Sequence, residues 1–169
     1  ELRNQVGWTQ THIAEKACWV EIDLLKEPIG KQDQYVAAFG GLNAYTFNKD
    51  GTVDVEPLNL TAMAMEKLRR KLLLFDTQIK RKASDVLIEV CQQMEGENKI
   101  IERLDIIKEM AYEVRRLLCH SQFDDFGCLL DDYWKKRKKL TSKVSNPILD
   151  EYYEEAIKNG ALGGKLQGA

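Results

Sequence analysis

The chain has 169 residues, with 25 Lys and Arg against 27 Asp and Glu, a net charge of −2 and 44% hydrophobic residues. That balance is ordinary for a folded protein and too apolar for an intrinsically disordered one. Its pure apolar stretches, such as Leu72–Phe75, are far short of a membrane span of about 18 residues, and the near-neutral charge argues against a generic nucleic-acid or anionic-membrane binder.

Four cysteines (Cys18, Cys91, Cys119, Cys128) are widely spaced and form no CxxC pair, and His12 and His120 are the two histidines. That spacing predicts no zinc site. It also suits a reducing, cytoplasmic setting better than a disulfide framework. The chain opens at Glu1 without a charged-then-apolar leader, so no targeting segment is expected.

In chain order, residues 4–25 read as a helix, because Ile13, Ala17, Val20 and Leu24 recur on one helical face. Glu27-Pro28 ends it. Residues 29–42 place Gly30, Gly40 and Gly41 around Lys31-Gln32-Asp33-Gln34, a pattern of turns and close ligand approach. Ala44–Phe47 and Thr52–Val55 alternate as strands about the turn Asn48-Lys49-Asp50-Gly51, which predicts a hairpin. Leu72-Leu73-Leu74-Phe75 reads as a short buried strand.

From Ser84 onward the pattern is helical. Ile100, Leu104, Ile107, Ala111, Val114 and Leu118 give the strongest periodic signal in the chain. A further helix starts near Phe123 and uses Phe126, Leu130, Tyr133 or Trp134, and Leu140. The last runs from Pro147 to Asn159, with Asn146 as N-cap and Gly160 as stop. The three tryptophans read as packing residues and His120 as a helix-end residue. Lys135-Lys136-Arg137-Lys138-Lys139 follows Asp131 and Asp132 on one helix, which complements the helix dipole, so it reads as a solvated helix end.

Three stretches carry residues suited to chemistry. In the first, Asp33 sits among glycines and amides beside Lys31, and a carboxylate kept ionised by a nearby cation can take or orient a hydroxyl proton. A solvated loop with a stray acid explains the same pattern. In the second, Gly160, Gly163, Gly164 and Gly168 flank Lys165, and backbone N–H groups with a lysine can receive an anion. A helix stop followed by a loose end is the plain alternative. In the third, Thr77, Lys80, Arg81 and Lys82 follow the Leu72 run ahead of a helix, where cations can receive a phosphate or simply form a basic turn.

Glu27–Tyr35, running on through Ala37–Asn43, closely resembles the central motif of the GHMP kinases, and within them most that of the D-glycero-D-manno-heptose 7-phosphate kinases. Asp50–Val53, Val55–Pro57, Leu72–Leu87, Ser145–Pro147 and Gly160–Leu166 extend the resemblance over essentially the whole chain. It implies a two-domain α+β fold with the active site in the cleft between the domains. Residues 1–65 would be the remnant of the N-terminal domain, and 66–169 a truncated, helix-rich C-terminal domain on a small antiparallel sheet.

The implied activity is ATP-dependent phosphorylation of the anomeric hydroxyl of a sugar phosphate, with ATP and Mg2+ as cofactors. Asp33 is implied as catalytic base. Lys31, Gln34, Thr77 and Arg81 are implied for the substrate, and Gly163, Gly164, Lys165 and Gly168 for the nucleotide phosphates. No metal ligand is assigned. The partners implied are small molecules, with no nucleic acid and no membrane, and a homodimer is allowed. The family's loop of the form Pro-x-x-x-Gly-Leu-x-Ser-Ser is not found before Glu27, and Gln78 and Gln167 replace smaller residues. The chain therefore reads as part of a kinase and, alone, as a poor catalyst. The other readings are a non-catalytic sugar-phosphate-binding or interaction module, or a kinase for another sugar.

Overall fold

The structure is a computed structural model that describes residues 7–79, 83–94 and 98–167, the side chains of 83–85, 93, 94 and 98 excepted. Arg81 and Gly168, with Lys80 and Lys82, lie outside the described residues. The chain divides into two compact units, Glu1–Asn59 and Leu60–Ala169.

The first unit holds α1 (Gln10–Cys18), a π-helical turn (Trp19–Leu24), α2 (Gln32–Phe39), β1 (Asn43–Phe47) and β2 (Val53–Pro57). Thr9 caps α1 by accepting from the His12 N–H at 3.2 Å. The expected single helix to Leu25 is thus α1 followed by a wider turn, in which Leu25 N–H reaches back five residues to Val20 O at 2.9 Å. Lys26 closes the turn with φ at +57° while Glu27 N–H donates to Glu21 O at 3.0 Å. A left-handed lysine is strained where glycine is not. Lys26→Gly is expected to raise the unit's stability by about 0.5–1 kcal/mol, read from urea melts against wild type.

β1 and β2 pair antiparallel from Asn43↔Pro57 to Phe47↔Val53, as the hairpin pattern predicts. Gly51, at φ +87°, makes the turn possible. One core joins both layers. Ala14 and Cys18 of α1 meet Tyr35 and Ala38 of α2, and Tyr45, Val53 and Val55 of the hairpin pack on them. Phe39 stacks on Tyr35 at 6.0 Å and meets Tyr45 edge-on at 6.4 Å. The small sheet is therefore part of the first unit.

The second unit holds α3 (Ala62–Lys71), α4 (Ala83–Met94), α5 (Asn98–Cys119), α6 (Phe123–Arg137), a short 3-10 turn (Ser142–Val144) and α7 (Pro147–Lys158). Thr61 caps α3, a helix the sequence reading missed. Asn146 caps α7, accepting from Leu149 N–H at 2.9 Å, with Pro147 at its start and Gly160 at φ +97° beyond its end, as predicted. Val86, Trp134 and Val144 form a core on which Tyr153 and Leu166 pack. Along α5, Ile100 and Leu118 are buried at opposite ends of the predicted stripe, and Met110 and Leu117 join them. His120 sits exposed after α5, with Nδ1 2.8 Å from Arg116 O.

Two expectations fail. Leu72–Phe75 is not a buried strand. The chain leaves α3 extended, no strand of the second unit's described residues pairs with it, and Leu73 and Leu74 are 80% and 88% exposed. An apolar run is buried only where a partner surface meets it. Of the tryptophans, Trp134 is a core residue, while Trp8 and Trp19 are 38% and 45% exposed. Both line a surface depression with His12, Glu15 and Lys16 of α1, and the Lys16 ammonium lies 3.9 Å from the centre of the Trp19 ring.

Candidate functional site

Gly30 and Lys31 lead directly into a helix that takes up Gln32, Asp33 and Gln34. α2 begins at Gln32, and Asp33 occupies its first turn, where a carboxylate complements the helix dipole. The pattern hid this helix because it is only eight residues long, lies between glycines and buries a polar residue, Gln34, beside Tyr35 and Ala38. Lys31 stands at the N-cap without capping through its side chain. Its ammonium instead donates to the Gly51 carbonyl at 2.8 Å, which ties the start of α2 to the hairpin turn. Two further N–H donors of that ammonium stay available to an anion.

Gln34 is 6% exposed. Its amide nitrogen donates to Glu21 Oε2 at 2.7 Å, and its carbonyl oxygen has no partner among the described residues. Behind them lies Cys18, its thiol pushed above the ordinary range by burial, while Lys31 pulls the other way. Asp33 itself is exposed. It lines neither of two surface depressions of about 430 Å³ and 280 Å³, which lie along Trp8, His12 and Trp19 and along Arg116, Leu117 and Asp132. Lys31, Asp33 and Gln34 thus share one short helix start, with Glu21 as a fourth member that the sequence reading missed. No motif spacing flagged Glu21, because only the π-helical turn shows which way it faces.

The glycine-rich tail lies in the second unit. Its backbone runs against α6 so closely that a Cβ on Gly163 would overlap the Gly127 carbonyl oxygen and stand 2.5 Å from Asp131 N. A Cβ on Gly127 would meet Leu162 Cβ at 2.9 Å. Tyr153 donates its phenolic proton to Asp131 Oδ1 at 2.8 Å, and its ring lies 3.7 Å from where a Gly164 Cβ would stand. The exposed Lys165 ammonium sits 5.6 Å from the centre of the Tyr133 ring. Close packing on α6 is therefore a sufficient reason for glycine at 163. Thr77 lies in the extended segment after α3, its hydroxyl accepting from Ile79 N–H at 3.4 Å.

Asp131 is held below the ordinary carboxylate range, first by the hydrogen bond from Lys135 and also by that from Tyr153. Burial, and then Asp131, push the Tyr153 phenol well above its usual range. The carboxylate's contribution to stability is whole above its unfolded value, near 3.8, and is lost as pH falls through the lower folded value. Wild type is expected to lose urea resistance between about pH 5 and pH 2 more steeply than Asp131→Asn does, as paired denaturation curves would show.

Among the described residues no group of three acidic, histidine or cysteine side chains could hold a metal ion, and no helix is long and apolar enough to cross a membrane.

No family model matches the chain. Over 157 residues, 93% of its length, it is 34% identical to the D-glycero-alpha-D-manno-heptose 7-phosphate kinase of Campylobacter jejuni. The chain resembles the heptose 7-phosphate kinases. It spans 46% of that relative's length, so about half of the relative has no counterpart in it. A second similarity, 26% identity over 144 residues, is to the bifunctional fucokinase/GDP-fucose pyrophosphorylase of Arabidopsis thaliana, covering 83% of this chain and 14% of the relative. Both relatives are named for phosphorylating a sugar or sugar phosphate.

Proposed function

We propose that the chain is part of an ATP-dependent sugar kinase of the GHMP type, acting on the anomeric hydroxyl of a heptose 7-phosphate-like substrate. The observation that carries this reading is the 34% identity, over 93% of the chain, to a heptose 7-phosphate kinase. Asp33 lies exposed in the first turn of α2, next in sequence to the helix start where Lys31 bonds to the Gly51 carbonyl, and this supports the reading.

In this reaction the anomeric oxygen forms a bond to the γ-phosphorus of ATP as the bond to ADP breaks, and the hydroxyl proton passes to the Asp33 carboxylate. Little covalent work falls to the protein, and its task is to place the groups and balance charge. Lys31 supplies a cation beside the acceptor, and Thr77 and Arg81 are assigned to the phosphate the substrate already carries. For the nucleotide, the residues present offer the exposed Lys165 and the Gly163–Gly164 backbone, with Gly168 beyond. ATP brings the transferred group. Magnesium is assigned no residue, since the described residues gather no acidic cluster for it.

A kinase for a different sugar is the second reading, favoured by the similarity to a fucokinase. The experiment is a panel of sugars and sugar phosphates incubated with ATP, magnesium and the intact gene product, with ADP release as readout. Turnover led by heptose 7-phosphate is the expected result, and turnover led by an unphosphorylated sugar selects the second reading. A protein that binds a sugar phosphate yet releases no ADP with any of them is a non-catalytic binding module.

A further inference from the structure

We infer that the hairpin turn Asn48–Gly51 is a positioning element of the candidate site, which holds the Lys31 ammonium on the Gly51 carbonyl and thereby sets the helix start that carries Asp33. The inference rests on the sugar-kinase reading and adds the turn to it.

Lys31 stands where local chemistry does not favour it. A helix N-cap prefers Ser, Thr, Asp or Asn, and a cation there opposes the helix dipole. The Lys31 side chain makes no capping bond. A residue that breaks a local rule calls for a reason elsewhere in the fold. The ammonium supplies one by donating to the Gly51 carbonyl at 2.8 Å, twenty positions on. A hydrogen bond from a charged donor is stronger than one between neutral groups.

The turn is cross-linked in a way that holds that carbonyl in place. Gly51 takes φ +87°, and its N–H donates to Asn48 O at 3.0 Å. The Asp50 carboxylate accepts from the Thr52 N–H at 3.0 Å and from the Thr52 hydroxyl at 2.6 Å. Asn48 donates its side-chain amide to Thr52 Oγ1 at 3.1 Å and to Asp54 Oδ2 at 2.9 Å. The ladder from Asn43↔Pro57 to Phe47↔Val53 already fixes the register of the hairpin. These side-chain bonds therefore add rigidity at the end that meets Lys31.

Phe47, the last residue of β1, meets Tyr35 of α2 edge-on at 6.3 Å. Ring contact and ammonium bond thus join the turn end of the hairpin to α2 at two points. Asp33 lies between Lys31 and Tyr35 in the first turn of α2, so both contacts bear on its place.

The test is a double-mutant cycle in the intact gene product. K31M removes the ammonium. D50A frees Thr52 and loosens the turn while leaving Lys31 in the chain. The kcat for phosphoryl transfer is expected to fall about tenfold in K31M and about threefold in D50A, with KM for the sugar phosphate moving less than kcat in D50A. In the K31M background D50A is expected to cause no further fall, because the turn acts through Lys31. A second readout needs no turnover. In a 15N-labelled sample of the same protein, K31M is expected to shift the backbone amide signals of Gly51 and Thr52, and D50A those of Gln32 and Asp33.

A D50A effect that multiplies in full with that of K31M would overturn the inference, and so would a D50A protein with wild-type kcat. K31M with raised KM, unchanged kcat and unmoved Gly51 and Thr52 signals would overturn it too, since Lys31 would then grip the substrate without the turn. Should K31M fail to fold, D50A alone decides through its kcat and its Gln32 and Asp33 signals. A wild-type protein that phosphorylates no sugar, while the amide signals respond as expected, removes the kinase reading and leaves the hold of the turn on α2 standing.

Discussion

Replacing Asp33 by asparagine is expected to lower kcat for phosphoryl transfer by about 10²–10⁴-fold while leaving sugar-phosphate affinity within a few-fold of wild type. The substitution keeps the size of the side chain and its place in the first turn of α2. It removes the basic oxygen that takes the hydroxyl proton. Asp33 is exposed, and neither its burial nor any core contact explains it, so the change is expected to leave the fold intact. One effect of the substitution is structural. A neutral side chain in the first turn forgoes the favourable helix-dipole term, about 0.3–1 kcal/mol, which a urea melt reports separately from the kinetics. Steady-state kinetics and calorimetric binding on the same preparation separate the outcomes. Loss of kcat with binding retained fits a proton acceptor, and unchanged kcat removes Asp33 from the chemistry.

Gly163→Ala is expected to destabilise the second unit by about 3 kcal/mol, at the upper end of ordinary overpacking. The new methyl group would collide with backbone on α6, at the Gly127 carbonyl and Asp131 N, and neither can swing away as a side chain could. Relief requires the tail to lift from α6. Lifting breaks the packing of Leu166 on the core of Val86, Trp134 and Val144. Gly160→Ala is the informative control. Nothing lies within 4 Å of a Cβ there, so its cost is only that of a left-handed alanine at φ +97°, about 1 kcal/mol. Hydrogen exchange across residues 160–167, with urea melts of both variants, measures the difference. Equal small losses in the two would show that the Gly163 backbone can move at little cost.

The parts of the fold legible in the sequence were those set by local chemistry. Asn146-Pro147 marked the start of α7 and Gly160 its end because capping geometry needs those residue types. The hairpin was legible because alternation and a glycine turn act over a dozen residues. What escaped depended on tertiary context. α2 was hidden by its shortness and by Gln34, a polar residue buried where the pattern called for an apolar one. The π-helical turn leaves no trace in a period search, since Val20 and Leu24 fit a regular helical stripe equally well. Leu72–Phe75 misled because apolarity records a tendency to be covered without saying what covers it.

At the candidate site, the motif around Asp33 was legible as residue types, and its grouping of Lys31, Asp33 and Gln34 emerges at one helix start. Glu21 was not legible, because its partner lies thirteen residues on and only the fold brings the two together. The glycine tail was read for its exposed N–H groups, whereas the structure adds a packing reason for Gly163 that sequence alone does not contain.

The most direct measurement is a phosphorus NMR spectrum of heptose 7-phosphate after incubation with ATP, magnesium and the intact gene product. A second sugar-phosphate resonance, coupled to the anomeric proton and growing as ADP accumulates, is the predicted result. An unchanged heptose 7-phosphate signal, with no other sugar consumed in the companion panel and ATP intact, would contradict the account.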